Sequence, residues 1–390
     1  MRLWHKEFWL MAIANLVLSM AVTMLIPVLP IWLRETAMLD SRQVGLVMGS
    51  FAVGLFLPGA FCSYLVQHYR RNMVFMICVL ILGASMTLPF FRLSVLYAFP
   101  VILVWRILQG AAFGLAQMVL SSTLIIDTCE SHQRTEANHS ATWFGRFALS
   151  LGPMAGLLLV QLSAAVSSSA LPLSPMSTLN VFFMALVCCV AAIVLILFIH
   201  FPFRVPEDNV RLLSLDRFFL PSGLTLFGNL FLITLAVGML MSLPVTVDAY
   251  GMVMVGFLLA LLAQRFVFQD ADLKSEVVAG LLLISASLII LLASRYSPLT
   301  TPLLGLGVGL VGSRFLLFFI KLSRHCQRGT SQSTFMLGWE SGLAIGVGLG
   351  YYFFSGRTME MLFTALLLVG LALLLYVVWT HKWFVKHKNR

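Results

Sequence analysis

Three arginines and one glutamate lie inside stretches of the sequence that are otherwise apolar. Arg106, Arg146 and Arg314 interrupt three such stretches, and Glu340 interrupts a fourth. A charged side chain inside hydrocarbon costs a few kcal/mol at least, so it normally faces a partner or a water-filled cavity and marks a functional site. Guanidinium groups bind anions and a carboxylate can carry a proton. These residue types therefore predict a polar path through a membrane protein.

Polar residues of the first and fourth apolar stretches extend this candidate path. Arg106 lies close to the predicted bilayer centre, from which its side chain cannot easily reach the lipid headgroups, and Gln109 follows one turn later. The structural alternative is an arginine bonded to backbone carbonyls. Asn15 and Thr23 give the first stretch a polar edge that suits a water-filled cavity. The residues that we predict to line a substrate cavity are Asn15, Thr23, Arg106, Gln109, Arg146 and Arg314.

Glu340 allows two interpretations. It lies at the same predicted depth as Arg314 on the preceding antiparallel span, so the two could form a structural salt bridge. Alternatively, Glu340 is a protonatable switch, because it is the only acid that we predict well inside a span. Arg146 has no acid at matching depth on the preceding span and faces substrate, carbonyls or Glu340 across the cavity. Three arginines against one glutamate favour an anionic or zwitterionic substrate.

Small residues and one proline recur at positions that affect how the helices pack. Glycines spaced four residues apart let a neighbouring helix approach closely, and a proline removes one backbone hydrogen bond and can kink its helix. Such a set can act as a hinge for moving one half of the protein against the other, or it can simply form packing grooves. The residues concerned are Gly110, Gly114, Gly152, Pro153, Gly156, Gly342 and Gly346.

The composition indicates what positions these residues. Sixty per cent of the 390 residues are hydrophobic, 10% are charged and the mean hydropathy is +0.97. Apolar runs recur that are long enough, at 1.5 Å per residue, to cross about 30 Å of hydrocarbon. We predict an all-α membrane protein with twelve transmembrane helices near 8–33, 44–66, 72–91, 95–127, 139–162, 180–203, 218–243, 250–268, 277–294, 300–323, 332–354 and 359–380.

The distribution of charge predicts the orientation. Most of the 25 lysine and arginine residues fall in the loops that share a side with both termini, so we expect cytoplasmic termini and location in the cytoplasmic (inner) membrane. The net charge of +10 is spread over loops without the clustered basic face of a nucleic-acid-binding protein. No nucleophile–base pair or metal-like cysteine spacing is present, which argues against an enzyme.

An internal repeat divides the chain. Gln133-Arg134 precedes the fifth span as Gln327-Arg328 precedes the eleventh, and at the same offset Gly152 matches Gly346 and Arg146 matches Glu340. Related halves with a substrate site between them near the midplane are typical of transporters. We predict two pseudo-symmetric six-helix bundles around a central cavity, at 1–203 and 218–390, joined by a cytoplasmic linker at 204–217.

Two of these motifs resemble those of the major facilitator superfamily, particularly its twelve-span drug/proton antiporter branch. The family's fourth-span motif, Arg-x-x-Gln-Gly-x-x-x-Gly, is matched by Arg106, Gln109, Gly110 and Gly114. Its fifth-span antiporter motif, Gly-Pro-x-x-Gly, is matched by Gly152, Pro153 and Gly156. The resemblance implies a cavity lined by spans one, four, seven and ten, movement by rocking alternating access, and a proton-linked role for Arg106.

The sequence also departs from the family pattern. In the loop after the second span, Gln67, His68 and Arg70 replace the expected acid, arginine and glycine, and Arg71 keeps the pattern. This weakens the charge latch that the family has there. The first span lacks the acidic residue that several family exporters use, which directs attention to Glu340 as the proton carrier.

These observations lead to one principal hypothesis of function. We expect a monomeric, proton-coupled exporter of an amphipathic small molecule, energised by the proton gradient without a cofactor, with Arg106 and Glu340 in proton coupling. The alternative is an organic-anion or lipid-headgroup transporter, acting as a uniporter or symporter, whose cavity arginines bind the negative charge directly. A receptor on the same fold that does not transport is a third class.

Overall fold

The computed structural model describes residues 4–91, 93–130, 132–166, 175–201, 211–268, 272–294 and 298–389. Over these ranges the chain forms helices joined by turns and loops, without strands. The long helices are labelled α1 (Lys6–Glu35), α2 (Ser41–His68), α3 (Arg71–Phe90), α4 (Phe99–Thr128), α5 (Arg134–Ser163), α6 (Ser177–Leu197), α7 (Pro221–Met241), α8 (Val247–Phe266), α9 (Leu273–Ser294), α10 (Thr300–Leu322), α11 (Arg328–Phe354) and α12 (Thr358–His387).

Several of these spans contain local irregularities. α1 is interrupted at Met24, between the helical segments Lys6–Thr23 and Leu25–Glu35. α4 passes through a π-helical turn at Leu120–Leu124, and α12 through another at Tyr376–Thr380. A π-turn re-aims the side chains that follow it and often occurs at a functional site.

α11 differs from the other spans in composition and in surroundings. Within the described ranges, eleven helices are long and apolar enough to cross a membrane, and α11 falls below that hydropathy because of its glycines, serines and Glu340. It packs between α2 of the first half and α7 of the second, so protein rather than lipid surrounds most of it. Its polar character is therefore compatible with a membrane span. The structure confirms the predicted all-α membrane fold.

The glycines of α11 bring three helix backbones together. A methyl group at Gly346 would collide with the carbonyl oxygen of Leu235 on α7, and one at Gly342 with the hydroxyl of Thr234. On the opposite side, a methyl group at Gly348 would lie 2.7 Å from the carbonyl oxygen of Gly45 on α2. Only glycine permits these approaches.

Glycines also permit close helix contacts among the first five helices. Gly110 of α4 packs against the carbonyl of Phe51 on α2, and Gly114 follows one turn later against Leu55. Gly152 and Gly156 of α5 pack against Thr23 and Met24, where α1 is interrupted. Pro153 lies between these two glycines inside one continuous helix. The structure thus places the predicted small residues at close helix contacts.

Helices of the two predicted halves contact each other at both ends of the bundle. At the end opposite the termini, α2 and α11 meet, and Arg34 Nη2 donates hydrogen bonds to Ser355 at 3.2 Å and Ser41 at 3.1 Å. At the end that carries the termini, Gly329 of α11 lies so close to α4 that a methyl group would be 2.8 Å from the carbonyl oxygen of Ser122.

The segment before α7 docks on this terminal end. Residues 202–210 lie outside the described ranges, so half of the predicted linker 204–217, and with it the division of the chain, remains a prediction. Arg217 adopts a left-handed φ of 58°, and its backbone N–H donates to the Thr330 hydroxyl at 2.9 Å. Burial, followed by the charge of Arg71, lowers the pKa of Arg217. Arg71 itself forms an ion pair with Asp127 at the end of α4.

The glycine contacts of α11 predict a large difference between two alanine variants. Gly346→Ala should lower the free energy of unfolding by about 1–3 kcal/mol, since the new methyl group overlaps the α7 backbone. Gly370→Ala on α12 should leave stability unchanged or raise it slightly, because nothing lies within 4 Å of its methyl group and alanine is the better helix former. Thermal unfolding followed by tryptophan fluorescence measures both. Equal melting temperatures would contradict the packing assignment.

Candidate substrate cleft

A polar cleft of about 570 Å³ opens between α1, α4 and α5 of the first half and α11 of the second. Asn138 and Gln332 lie on it near the starts of α5 and α11, which places the cleft toward the terminal end of the bundle. The π-turn of α4 contributes Leu120 and Ser121. The remaining lining residues are Asn15, Ser19, Gln117, Ile125, Ala141, Thr142, Gly145, Arg146, Phe335, Met336, Trp339 and Glu340.

Hydrogen bonds fix the amide groups along one wall. Asn15 Nδ2 donates to the carbonyl of Ala141 at 2.8 Å, and its Oδ1 accepts from Gln117 Nε2 at 2.8 Å. Gln117 also donates to the Ser19 hydroxyl at 3.0 Å. Across the cleft mouth, Gln332 of α11 donates to Thr142 of α5 at 2.8 Å. The wall therefore holds its polar atoms in place without a ligand.

Arg146 is the positive group of this cleft. Its side chain is buried, with the residue only 3% exposed, and none of its three nitrogens has a hydrogen-bond partner among the described residues. Its guanidinium carbon lies 4.9 Å from the Trp143 ring centre, 5.4 Å from that of Trp339 and 5.8 Å from that of Phe335. Cation–π contacts compensate part of the lost hydration. Its five N–H donors are enclosed by protein and have no acceptor among the described residues, as expected of a group that an anion could satisfy.

Glu340 is the negative group of the cleft. Its carboxylate lines the same space as Arg146, and no ion pair or hydrogen bond joins it to any residue that the structure describes. The repeat predicts that Arg146 and Glu340 occupy corresponding positions in the two halves, and the structure brings these two residues to one cleft. A carboxylate and a guanidinium without structural partners are the chemistry of a binding site for charged groups.

The pair of Arg314 with Glu340 that the sequence suggests does not form. Arg314 of α10 makes its ion pair with Glu276, a residue that we expected just outside the ninth span. Glu276 is fully buried in the first turn of α9, so a second buried acid lies at the end of a span. The observed α9 begins one turn earlier than predicted, and this turn carries Glu276.

This ion pair belongs to a polar chain that sequence reasoning missed. Gln264 of α8 donates to Glu276 at 2.6 Å, and the hydroxyl of Ser313 on α10 donates to Gln264 at 3.0 Å. Because that hydroxyl has only one proton, His139 Nε2 of α5 must donate to it, at 2.8 Å. The signal that could have found these residues is the set of isolated polar side chains inside apolar runs.

The remaining predicted cavity residues lie away from this cleft. Arg106 Nη1 donates to Gln109 at 2.7 Å, its guanidinium lies 4.5 Å from the Phe51 ring centre, and neither residue is part of the lining. Thr23 donates to the Ala148 carbonyl at 2.8 Å, in the contact between α1 and α5. Spans α7 and α10, which the resemblance implies for the lining, contribute no residue to this polar cleft. Their facing side chains line two apolar spaces instead.

Comparison with known proteins gives three findings. The family model for the Major Facilitator Superfamily matches residues 11–323. A curated relative, the uncharacterized MFS-type transporter YcaD of Salmonella typhi, is 27% identical over 134 residues. That alignment spans 34% of this chain and 34% of the relative.

Solved structures share the fold at low identity. A bacterial homologue of the human lysosomal transporter Spinster, solved in an inward-facing and unoccupied conformation, has a TM-score of 0.68 at 14% identity, covering 99% of each chain. The human organic anion transporter MFSD10 (TETRAN) has a TM-score of 0.64 at 16% identity, covering 95% of this chain and 98% of that one. At these identities the likeness shows the fold alone.

The ion pair of Arg314 with Glu276 predicts a non-additive pair of variants. Glu276→Met or Arg314→Met alone should destabilise the protein by about 3–5 kcal/mol, since each leaves a buried charge without its partner. The double variant should recover most of that loss. Equilibrium unfolding in a mixed-detergent titration measures all three. Arg357→Met at the exposed pair with Glu360 is the control, and a single buried variant no less stable than this control would contradict the prediction.

Proposed function

The chain belongs to the Major Facilitator Superfamily of transporters, and on this premise we propose that it exports an amphipathic small molecule in exchange for protons. The observation that supports this proposal is the cleft between the two halves, which holds Arg146 and Glu340 without structural partners. A cleft of this kind can bind a charged substrate and a proton in turn, as the two halves rock against each other.

Glu340 is the proposed proton carrier. Glu276 is engaged with both Arg314 and Gln264, so a change in its protonation breaks structural contacts. Glu340 can gain or lose a proton without breaking any contact to the described residues. A proton and a cationic group of the substrate would compete for the carboxylate of Glu340. This competition would couple the inward movement of protons to the outward movement of substrate.

Arg106 has an indirect part in this proposal. It bonds to Gln109 and stacks on Phe51 in the contact between α4 and α2, and α2 in turn packs on α11, which carries Glu340. We therefore propose it as a positioning residue for the α2–α4 contact during the movement. It does not line the cleft, so direct proton transfer between Arg106 and Glu340 forms no part of the proposal.

The position of the cleft supports loading of the substrate from the terminal side of the bundle. α2 and α11 meet at the end opposite the termini, while the cleft lies toward the terminal end. With both termini in the cytoplasm of a cell whose inner membrane carries the protein, as the positive charge predicts, the cleft would load from the cytoplasm. Separation of α2 from α11 would then release the substrate outside.

A second candidate function is favoured by Arg146 alone. An unpaired buried guanidinium is suited to an organic anion or a phosphate-bearing headgroup. In that case Arg146→Gln abolishes binding and Glu340→Gln leaves the pH dependence of transport unchanged. In the exporter proposed above, Glu340→Gln removes that dependence.

Transport in proteoliposomes tests the exporter. N-octyl-N,N-dimethylglycine, a soluble zwitterionic amphiphile, should move against its gradient when a pH gradient is imposed, and Glu340→Gln should reduce this pH-driven movement at least tenfold. Exchange of labelled for unlabelled probe without a pH gradient should persist in the variant. Glu360→Gln, at an exposed glutamate of α12, is the matched control. The assignment of Glu340 as the proton carrier would be contradicted if Glu340→Gln transported the probe at the rate of this control under the pH gradient.

A further inference from the structure

A second space of about 530 Å³ lies between α5, α7, α8 and α10. Its walls are apolar except for Tyr250 and Thr301, and they include Leu149, Val237, Phe257 and Val308. We call this space the apolar chamber. A space with this lining is suited to hydrocarbon, because no array of polar groups is present to hold water there.

The apolar chamber adjoins the polar cleft, and a constriction too narrow for a water molecule separates them. Trp339 lines both this constriction and the cleft, and Val237 and Val308 line both the constriction and the chamber. α5 also connects the two spaces, because Arg146 lines the cleft and Leu149, one turn further along, lines the chamber. The axial rise between these residues is about 4.5 Å, so a headgroup at Arg146 has its attached chain at the entrance of the constriction.

Aromatic rings connect Arg146 with the wall of the chamber. Trp143 stacks on the guanidinium of Arg146, and its ring centre lies 6.4 Å from that of Phe257 in the chamber. Glycines on α10 make room for these side chains: a methyl group at Gly312 would lie 2.9 Å from Arg146 Nε, and one at Gly309 3.2 Å from the Trp143 ring. The head site and the chamber are therefore built from the same contacts between α5 and α10.

The charges of the cleft define the headgroup. One guanidinium and one carboxylate face the same space without joining each other or any other described residue. A ligand with a single negative charge would satisfy Arg146 and leave Glu340 beside it, and a cation would do the reverse. A headgroup that carries both charges satisfies both residues.

From these observations we propose that the cleft and the apolar chamber form one binding site for a zwitterionic, single-chain amphiphile. The anionic group binds Arg146, the cationic group faces Glu340, and the alkyl chain enters the chamber when the Trp339 side chain moves out of the constriction. This inference rests on the proposed function, because it names the substrate class of the same transporter.

Equilibrium binding to the full-length protein in nanodiscs tests this substrate class. The probes are N-alkyl-N,N-dimethylglycines with chains of four, six, eight and ten carbons, used below their micellar concentrations, and empty nanodiscs correct for partition into lipid. Affinity should rise roughly three- to fourfold per methylene group as the chain enters the chamber. Octanoate and octyltrimethylammonium should each bind at least tenfold more weakly than the zwitterion of the same length. Equal affinity for the four-carbon and ten-carbon probes would overturn the chamber assignment.

Variants separate the head site from the chain site. Val308→Phe places a larger side chain at the entrance of the chamber and should abolish the rise of affinity with chain length. Val255→Phe, on the exposed face of α8, is the control and should leave that rise unchanged. Arg146→Gln should weaken every zwitterionic probe at least tenfold, with partial recovery in Arg146→Lys. Unchanged affinity in Arg146→Gln, or an unaltered series in Val308→Phe, would overturn the proposal.

The outcome is independent of whether the protein exchanges its substrate for protons, because no pH gradient is applied. Chain-length-dependent binding without pH-driven transport would contradict only the proposed function. Transport that depends on Glu340 but is indifferent to chain length would contradict only the substrate class.

Discussion

Hydrocarbon does not solvate charge, and this constraint determines where every ionisable group of the bundle lies. Arg314 is paired with the buried Glu276, and Arg106 is bonded to Gln109 and stacked on Phe51. Arg314 and Arg106 therefore each have a polar partner within the protein. Arg146 contacts aromatic rings, but neither Arg146 nor Glu340 has a hydrogen bond or an ion pair with any residue that the structure describes, and both line the polar cleft. Whether a charged group is structural or functional therefore depends on whether it has a hydrogen-bond or ion-pair partner, and not on whether it is buried.

Close backbone packing is the second condition for such a cleft. α11 carries Glu340 and several serines, and a helix of this composition would be a poor membrane span if lipid surrounded it. Its glycines bring it against α2 and α7, so neighbouring backbones cover the polar residues. The same glycines let α11 contact both halves without long side chains between them. Small contacts of this kind can separate and re-form with less rearrangement than interlocked side chains, which suits alternating access.

The sequence predicted the class of fold and the span count because apolar length and glycine spacing are local signals. Position along a predicted helix also gives a predicted depth in the bilayer. The direction in which a side chain faces does not follow from depth. Arg106 therefore faces the α2–α4 contact instead of the cleft, and Thr23 faces α5. The predicted start of α9 was one residue too late to include Glu276, and that single residue changed the partner of Arg314.

The predicted internal repeat accounts for the meeting of opposite charges in the cleft. It predicts that α5 and α11 occupy corresponding positions in two related halves, so that residues at matching positions approach the boundary from opposite sides. Arg146 and Glu340 are matched in this way, and both line one space. In the proposed rocking movement each charge moves with a different half, so the separation of the two charges changes. A headgroup that bridges Arg146 and Glu340 binds best at one distance between the two charges. The substrate would therefore bind one conformation of the transporter more tightly than the other. Coupled transport requires such a difference in affinity.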